Sequence, residues 1–413
     1  MSDDLYYIWL SDTCGAGSAL PQKLLGIFKN AENIYLAQKD ELIEKCDFET
    51  DEAMLEKLCM KDTEKAEKTL EFCAKNNVSV LNCDDRLYPA RLRGIRAFPV
   101  LLYYRGRLPD IDDNLCVAMV GTRKMTDYGK SAAYELAREL ASCGAIIVSG
   151  MAEGIDSAAH KGCLIAGGFT IAVFGCGIDK LYPAENKKLM DKIVEKGLIM
   201  TEYPPGTEPV GFHFPVRNRI VSGLSQAVLV VEADNKSGAL ITAKTALFQG
   251  RELYAVPGNI NAPKSRGTNN LLRNKAGIVI EAYDILSEYE HLYSHRINIE
   301  KTKYYNNKLN YAYKSDKIKS DAAAPTESKK ETEKPKISLS EKLSALKIIL
   351  NEAELKVFEV FYEKKDKKLH ADDIETDMQI SEVMNTLTFL ELYGIITSFP
   401  GDYYKISDSF VNL

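Results

Sequence analysis

The central part of the chain alternates short, continuously apolar segments with amphipathic segments of helical length. Seven segments predict strands: 116–120, 145–149, 170–175, 198–202, 227–233, 252–258 and 277–281. Between them lie segments with helical periodicity, such as 127–144 and 185–197. Strands that are apolar on both faces and joined by crossover helices form a mostly parallel sheet covered by helices on both sides. The sequence therefore predicts an α/β fold with an extended Rossmann-like parallel sheet as its core.

The segments on either side of this core have other patterns, and we predict four regions. Residues 1–80 carry apolar side chains at helical spacing and predict a small all-α domain of the SAM or helix-hairpin-helix type. Residues 81–290 form the Rossmann-like domain. Residues 291–340 predict a flexible linker, since 301–340 holds ten Lys against five Asp and Glu. Residues 341–413 predict a C-terminal winged helix, three helices followed by a two-stranded hairpin.

Charge argues at first against a nucleic-acid partner. The chain has 53 Lys and Arg against 59 Asp and Glu, a net charge of -6, whereas proteins that bind phosphates usually carry excess positive charge. The charge is divided by region, however: residues 115–285 hold 19 basic and 16 acidic side chains. The acidic excess therefore belongs to the terminal regions, and the Rossmann-like region stays a candidate for binding nucleic acid.

Other function classes are disfavoured by what the sequence lacks. The acidic start MSDDLYYIWL does not resemble a secretory signal, and no apolar run is long enough to span a membrane, so we expect a cytoplasmic protein. The nine cysteines form no CxxC pair and predict reduced, mostly buried thiols. We expect no metal and no cofactor, because no dinucleotide fingerprint, Walker loop or zinc-protease motif is present.

Glycine-rich loops follow the predicted strands, and ligands of open parallel sheets bind at these strand ends. Gly121 and Arg123 follow the first strand, and Gly150 follows the second. The third strand leads to Lys180, then to Asn186 and Lys187. A glycine turn, a helix N-terminus and a cation together favour anion binding. Asp156, Asp179 and Glu232 also follow strands, and they predict either catalytic carboxylates or, more commonly, acceptors that orient the loops.

The loops after the fourth and fifth strands add aromatic and capping residues. Phe212, Phe214, Arg217, Asn218 and Arg219 occur within one short segment. Cations beside an aromatic ring suit a nucleic-acid strand, whose phosphates need charge and whose bases need a stacking surface. The alternative is that both phenylalanines belong to the core and both arginines face solvent. In the fifth loop, Ser237 and Gly238 begin another helix. A single glycine turn at 14–17 is either a phosphate-binding turn or a plain helix connection.

Between Val120 and Ala276 the chain resembles the DprA (Smf) family of DNA-processing proteins. The matching segments occur in the family's order: VGTRKMTDYG, SGMAEGIDSAAH, GCGIDKLYPAEN, TEYPPGT, FPVRNRIVSGLS, VVEADNKSGALITA, QGRELYAVPGN and GTNNLLRNKA. The resemblance implies a homodimer that binds single-stranded DNA without sequence preference. It also implies that the protein protects incoming strands during natural transformation and loads the recombinase RecA onto them.

The resemblance also implies which residues contact DNA. The family's DNA-contacting arginine corresponds to Arg123. Its FPxRNR segment corresponds to Phe214, Arg217, Asn218 and Arg219, and either Lys180 or Lys187 contributes. The chain departs from the family pattern at Glu153 and Lys275, which leaves a cationic contact in the loop of Glu153 in doubt.

Two other functions remain as alternatives to a non-enzymatic DNA-binding protein. The first is a Rossmann nucleotide-processing enzyme resembling phosphoribohydrolases, but the PGGxGTxxE pattern of those enzymes is missing. The second is a sequence-specific reader of duplex DNA that uses the winged helix. Its presumed recognition helix contains Glu382 and Glu391 but no Lys or Arg, so we expect this region to serve protein contact or regulation.

Overall fold

The computed structural model describes residues 3–46, 52–302 and 352–406, the last range with gaps at 365–366, 375–377, 379–382, 385, 388–389, 392–394, 400 and 402. The chain forms two compact units, Met1–Ile299 and Glu300–Leu413, which are described separately. The four predicted regions are finer than this division and stay predictions.

Six helices form the N-terminal part of the first unit. They are α1 Asp3–Cys14, α2 Leu20–Phe28, α3 Ala31–Leu36, α4 Lys39–Cys46, α5 Glu52–Met60 and α6 Glu64–Lys75. The sequence patterns predicted this helical region but not α1, which buries Trp9 and Leu10. The indole of Trp9 packs edge-on against Tyr35 with ring centroids 5.1 Å apart. A helix whose side chains are buried nearly all round has weak amphipathic periodicity, which explains why the pattern did not reveal it.

A nine-stranded sheet forms the centre of the same unit. Its strands are β1 Ser79–Asn82, β2 Leu101–Gly106, β3 Cys116–Val120, β4 Ile146–Ser149, β5 Thr170–Val173, β6 Leu198–Thr201, β7 Ala227–Val230, β8 Glu252–Ala255 and β9 Gly277–Ile278. They lie in the order β1-β2-β6-β5-β4-β3-β7-β8-β9, and all pairs from β6 to β9 are parallel. The predicted α/β fold with a mostly parallel sheet is confirmed.

Helices cover both faces of this sheet. They are α7 Ala90–Arg93, α8 Asp127–Ser142, α9 Ile155–Ile165, α10 Lys187–Lys196, α11 His213–Gly223, α12 Ala239–Phe248, α13 Arg266–Arg273 and α14 Tyr283–Tyr293, with 3-10 turns at Ala184–Asn186, Pro263–Ser265 and Ile299–Lys301. Alternate residues of β3 enter different cores: Ala118 belongs to one, and Val117 and Met119 belong to the other. Burial on both faces explains why β3 is apolar throughout.

Two strands at one edge escaped the sequence patterns. β1 pairs antiparallel with β2, and β2 pairs antiparallel with β6. Neither strand is followed by a crossover helix that leads to a parallel neighbour, which is the pattern that identified the parallel strands. Within the predicted linker, α14 continues to Tyr293, and Ile297 and Ile299 are buried. Residues 303–340 of that predicted linker lie outside the described residues.

The second unit contains one helix and a small antiparallel sheet in its described part. The helix is α15 Glu352–Glu363, and the strands are β10 Leu369–His370, β11 Ile396–Phe399 and β12 Tyr403–Ile406, with a 3-10 turn at Ala371–Asp373. β12 lies between β10 and β11. The predicted hairpin corresponds to β11 and β12. Much of the predicted recognition helix lies outside the described residues, so the winged helix stays a prediction.

The cysteines behave as expected of free thiols. All nine are unpaired, and six are buried. Burial raises the pKa of Cys116 to about 12 and that of Cys73 to about 11, so neither is a reactive thiolate at neutral pH. Within the described ranges, no cluster of His, Cys, Asp and Glu has the arrangement of a metal site. No described helix combines the length and hydropathy needed to cross a bilayer.

Candidate nucleic-acid interface

The strand order creates a crevice where the chain diverges across the sheet. From β3 the chain passes through α8 to β4 on one side, whereas β7, the other neighbour of β3, leads through α12 to β8 on the opposite side. A crevice of about 350 Å³ lies beyond the carboxyl ends of these strands, where open α/β sheets bind ligands. Seven of the predicted site residues line it: Gly121, Arg123, Phe214, Arg217, Asn218, Ser237 and Gly238.

The loop after β3 is held in place by a buried carboxylate. Thr126 caps α8, and its hydroxyl accepts a hydrogen bond from the Gly129 amide at 3.1 Å. Glu232, at the end of β7, accepts hydrogen bonds from the Thr126 amide at 2.8 Å and from its hydroxyl at 2.6 Å. The Thr122 amide donates to the backbone carbonyl of Glu232 at 2.8 Å. These contacts join the β3 and β7 loops and fix the segment that carries Arg123.

The loop after β4 uses a second buried carboxylate in the same way. Asp156 accepts hydrogen bonds from the amides of Gly150 and Ala152 at 3.1 and 3.3 Å. Burial raises the pKa of Asp156 above its ordinary value, and the positive charge of Arg217 partly opposes that shift. Asn186 is buried and donates to the carbonyl oxygen of Met151 at 2.9 Å. The predicted site residue Asn186 therefore braces this loop from within the protein.

The carboxylates that follow the strands orient the loops, which is the role that the sequence favoured for them over catalysis. Asp179 completes the set by accepting a hydrogen bond from the Gly206 amide at 2.7 Å. The protein itself thus occupies amides of Thr122, Thr126, Gly150 and Ala152 that the sequence had offered to a ligand. These four amides are therefore not available to a ligand. A phosphate in the crevice would depend on side-chain cations instead.

Arg123 supplies such a cation at the mouth of the crevice. Its side chain is exposed, and its guanidinium carbon lies 4.9 Å from the centroid of the Phe214 ring. Tyr182 also packs against Phe214 with ring centroids 5.5 Å apart, and Tyr182 is 44% exposed. A cation on an aromatic ring is held with little loss of mobility, because the ring attracts it without removing it from water. The positive charge of Arg123 therefore lies beside an aromatic surface formed by Phe214 and Tyr182.

Arg217 lies behind this surface rather than on it. It is only 3% exposed, and its Nη1 donates hydrogen bonds to the carbonyl oxygens of Gly150 and Val173. A Cβ at Gly150 would overlap the guanidinium group, so glycine is needed for this approach. Its Nε donates to the side chain of Asn218 at 3.1 Å. Arg217 therefore ties the ends of β4 and β5 to α11, and its direct contact with DNA stays a prediction that the burial does not favour.

Arg219, two residues further along α11, is also buried. It forms an ion pair with Glu202 at 2.5 Å, and the two side chains are 4% and 6% exposed. The second carboxylate oxygen of Glu202 accepts a hydrogen bond from the Gly17 amide at 3.2 Å. The glycine turn at 14–17 therefore docks against the protein, which favours the plain helix connection. Arg219 does not line the crevice.

The remaining predicted residues divide between paired lysines and wall positions. Lys180 pairs with Glu208 at 2.6 Å, and Lys187 pairs with Asp191 at 2.5 Å. Neither lysine lines the crevice, so their contact with DNA stays a prediction. Ser237 and Gly238 line the wall at the start of α12, where the Ser237 hydroxyl accepts a hydrogen bond from the Ala239 amide at 3.3 Å.

The two histidines of the region have positional roles. His160 is fully buried, and its Nδ1 lies 2.7 Å from the hydroxyl of Thr170. Burial, with the charge of Arg217, lowers the pKa of His160 to about 3. The ring of His213 packs on Tyr203 at 4.1 Å. Both placements agree with the packing role that the sequence favoured over general-base chemistry.

Sequence reasoning did not single out Tyr182 as a site residue. It follows the third glycine loop directly, four residues before the predicted Asn186, and its position beside Pro183 gave no periodic signal. An aromatic residue in a strand-end loop was the available signal. Phe212, which the sequence left between core and surface, is 71% exposed.

The fold and this site define a class: a Rossmann-type α/β protein whose crevice at the strand divergence combines an exposed arginine with aromatic rings. A family model described as "DNA recombination-mediator protein A" matches residues 79–290, about half of the chain. The protein belongs to this family, as the resemblance in its motifs implied.

Relatives and a solved structure agree with that assignment. "Protein Smf" of Synechocystis sp. is 38% identical over 290 residues, covering 69% of this chain and 72% of its own. "DNA processing protein DprA" of Streptococcus pneumoniae is 43% identical over 206 residues, covering 50% of this chain and 72% of its own. The X-ray structure of the pneumococcal protein superimposes with a TM-score of 0.62 at 34% identity, covering 70% of this chain and 98% of that one.

Proposed function

We propose that this protein binds single-stranded DNA in the crevice and acts as a recombination mediator. The observation that carries the proposal is the exposed Arg123 guanidinium resting on the Phe214 ring at the crevice mouth. The arginine would contact a phosphate, and the Phe214 and Tyr182 rings would offer a surface to unpaired bases. Phosphate charge and base stacking are the two interactions that bind single strands without sequence preference.

The shape of the crevice supports a single strand over a duplex. Its volume of about 350 Å³ and its position between strand-end loops suit one or two nucleotides rather than the width of a double helix. A duplex would also keep its bases stacked on each other and away from Phe214. We therefore expect a clear preference for unpaired DNA.

The wider biological role is part of the same proposal. The family description and the relatives named for DNA processing support a role in recombination. We infer that the protein protects incoming single strands, loads RecA onto them during natural transformation, works as a homodimer and does so in the cytoplasm.

We further propose that the protein is not an enzyme, against the phosphoribohydrolase-like alternative. Asp156 and Asp234, which line the crevice, and Glu232 beside it all accept hydrogen bonds from backbone amides of the loops. A general acid or base must reach the proton that it transfers, whereas these groups hold the loop backbone.

A binding comparison tests the proposal. Fluorescence anisotropy would measure the affinity of the full chain for oligo(dT) and for duplex DNA at two salt concentrations. Replacing Arg123 by Ala should weaken oligo(dT) binding about tenfold and reduce its salt dependence, because one phosphate contact is lost. Arg138→Ala, which removes a partly exposed arginine of α8 outside the crevice, is the matched control. Failure of the wild-type protein to bind either DNA would refute the proposal.

A further inference from the structure

One flank of the crevice carries positive charge that the proposed site does not use. The segment 256–276 holds four Lys and Arg and no Asp or Glu. Two of these, Lys264 and Arg266, lie at the start of α13, and Lys236 lies in the loop after β7. We call Lys236, Lys264 and Arg266 the basic rim. In the part of the chain that the structure describes, none of the three forms an ion pair.

Hydrogen bonds hold the basic rim against the crevice wall. The amide of Gly267, in the first turn of α13, donates to the carbonyl oxygen of Ala233 at 2.9 Å. A Cβ at Gly267 would lie 2.7 Å from the Asp234 carbonyl oxygen, so only glycine permits this approach. Asn270 donates to the side chain of Asn235 at 3.0 Å. Because Asp234 lines the crevice, Arg266 and Lys236 stand directly outside it.

The acidic group nearest the rim is engaged with the backbone. Asp234 Oδ1 accepts a hydrogen bond from the Lys236 amide at 2.8 Å, which closes the turn between them. The carboxylate therefore shapes the loop, while the ammonium group of Lys236 remains exposed to solvent.

The opposite flank is nearer to charge balance. Lys180 pairs with Glu208 and Lys187 pairs with Asp191, and the exposed Lys188 is accompanied by exposed Glu153 and Glu185 nearby in sequence. A polyanion that leaves the crevice on that side would meet mostly paired or acidic groups. A polyanion that leaves the crevice over the basic rim would meet unpaired cations. The charge difference between the two flanks therefore favours an exit of the bound strand over the basic rim.

We propose that a single strand held in the crevice continues across the basic rim over the first turn of α13, and that the rim binds its phosphates. This inference rests on the proposed function and adds a path to it. The rim acts on the length of strand beyond the crevice, so its contribution appears only with DNA long enough to reach it. Lys180 and Lys187, which the sequence analysis favoured, lie off this path.

The test compares two oligonucleotides on the full chain. In the variant Lys236→Ala/Arg266→Ala, affinity for oligo(dT) of about 24 nucleotides should fall about tenfold, and the slope of log affinity against log salt should decrease by about 1.4, as expected for two lost phosphate contacts. Affinity for a strand of about two nucleotides, the length that the crevice alone holds, should change less than twofold.

A second variant controls for loss of charge. Lys192 and Lys196 are exposed on α10, whose C-terminus lies at the amino end of β6, so Lys192→Ala/Lys196→Ala removes the same charge far from the crevice. It should leave both affinities unchanged. Equal losses for the two oligonucleotides, or no loss for the longer one, would overturn the inferred path. Absence of binding by the wild-type protein would instead refute the proposed function itself.

Discussion

Arg123 and Arg217 face the same crevice and have opposite environments. Arg123 is exposed and touches the Phe214 ring from outside, whereas Arg217 is 3% exposed and donates hydrogen bonds to carbonyl oxygens of two strand ends. A buried guanidinium that already donates three hydrogen bonds inside the protein has fewer donors left for a ligand. The comparison teaches that two arginines in neighbouring motifs divide the work: one holds the site together, and the other is free to bind.

The largest effect should follow the loss of the buried arginine. Replacing Arg217 by Met should lower the free energy of unfolding by about 3 kcal/mol, because two buried carbonyls and the Asp156 carboxylate lose their partner. Urea denaturation would measure the change. Arg123→Ala, at the exposed position, should alter stability by less than about 0.5 kcal/mol. Equal stability effects of the two substitutions would break the comparison.

A smaller effect should follow disruption of the contact behind Arg219. Gly17 has φ 80°, and a Cβ there would lie 2.6 Å from Val216 Cγ1 in α11. Gly17→Ala should therefore destabilise the protein by about 2 kcal/mol, from backbone strain and from the loss of the amide contact with Glu202. Gly15→Ala is the matched control, since it has a similar φ of 79° but open space around it. Thermal unfolding should separate the two variants by several degrees.

The third effect is near zero at neutral pH and should appear only on acidification. Burial lowers the pKa of His160 to about 3 in the folded state, against about 6.5 when unfolded. Between these values the unfolded chain binds the extra proton, so stability falls as pH decreases below 6.5, by about 1.4 kcal/mol for each pH unit at most. The raised pKa of Asp156 acts in the opposite direction.

A substitution isolates the histidine from the other acid-sensitive groups. His160→Asn keeps a polar atom near the Thr170 hydroxyl but cannot take up the proton. Urea midpoints at pH 7.5 and pH 5 should therefore differ by less in this variant than in the wild-type protein. An unchanged difference between the two urea midpoints would mean that burial does not lower the pKa of His160.

Much of the fold could be predicted because it is specified by patterns among residues that are neighbours in the sequence. Five of the seven parallel strands are buried on both faces, and helices such as α8 and α10 have the regular period of one buried side. β1, β2 and α1 could not be predicted in this way. Their existence depends on partners distant in the chain, such as the pairing of Tyr103 with Thr201.

The sequence predicted which loops form the candidate site, but it did not predict the role of each residue in them. Strand ends, glycines and cations identified the region, and the motifs identified Arg123 and Phe214. Lys180 and Lys187 form ion pairs and do not line the crevice, and Asp156 and Glu232 accept hydrogen bonds from loop amides. Such contacts join residues far apart in sequence, so no local pattern records them.

The sequence by itself determined the α/β class, the parallel core, the family and the strand-end loops, because periodicity and motifs are properties of neighbouring residues. Only the tertiary structure decided which arginine is exposed. Arg217 and Arg123 differ in burial because α11 turns Arg217 toward Gly150 and Val173, while the β3 loop leaves Arg123 at the surface. Charge in water and charge inside a protein have different free energies, and the fold alone assigns a side chain to one or the other.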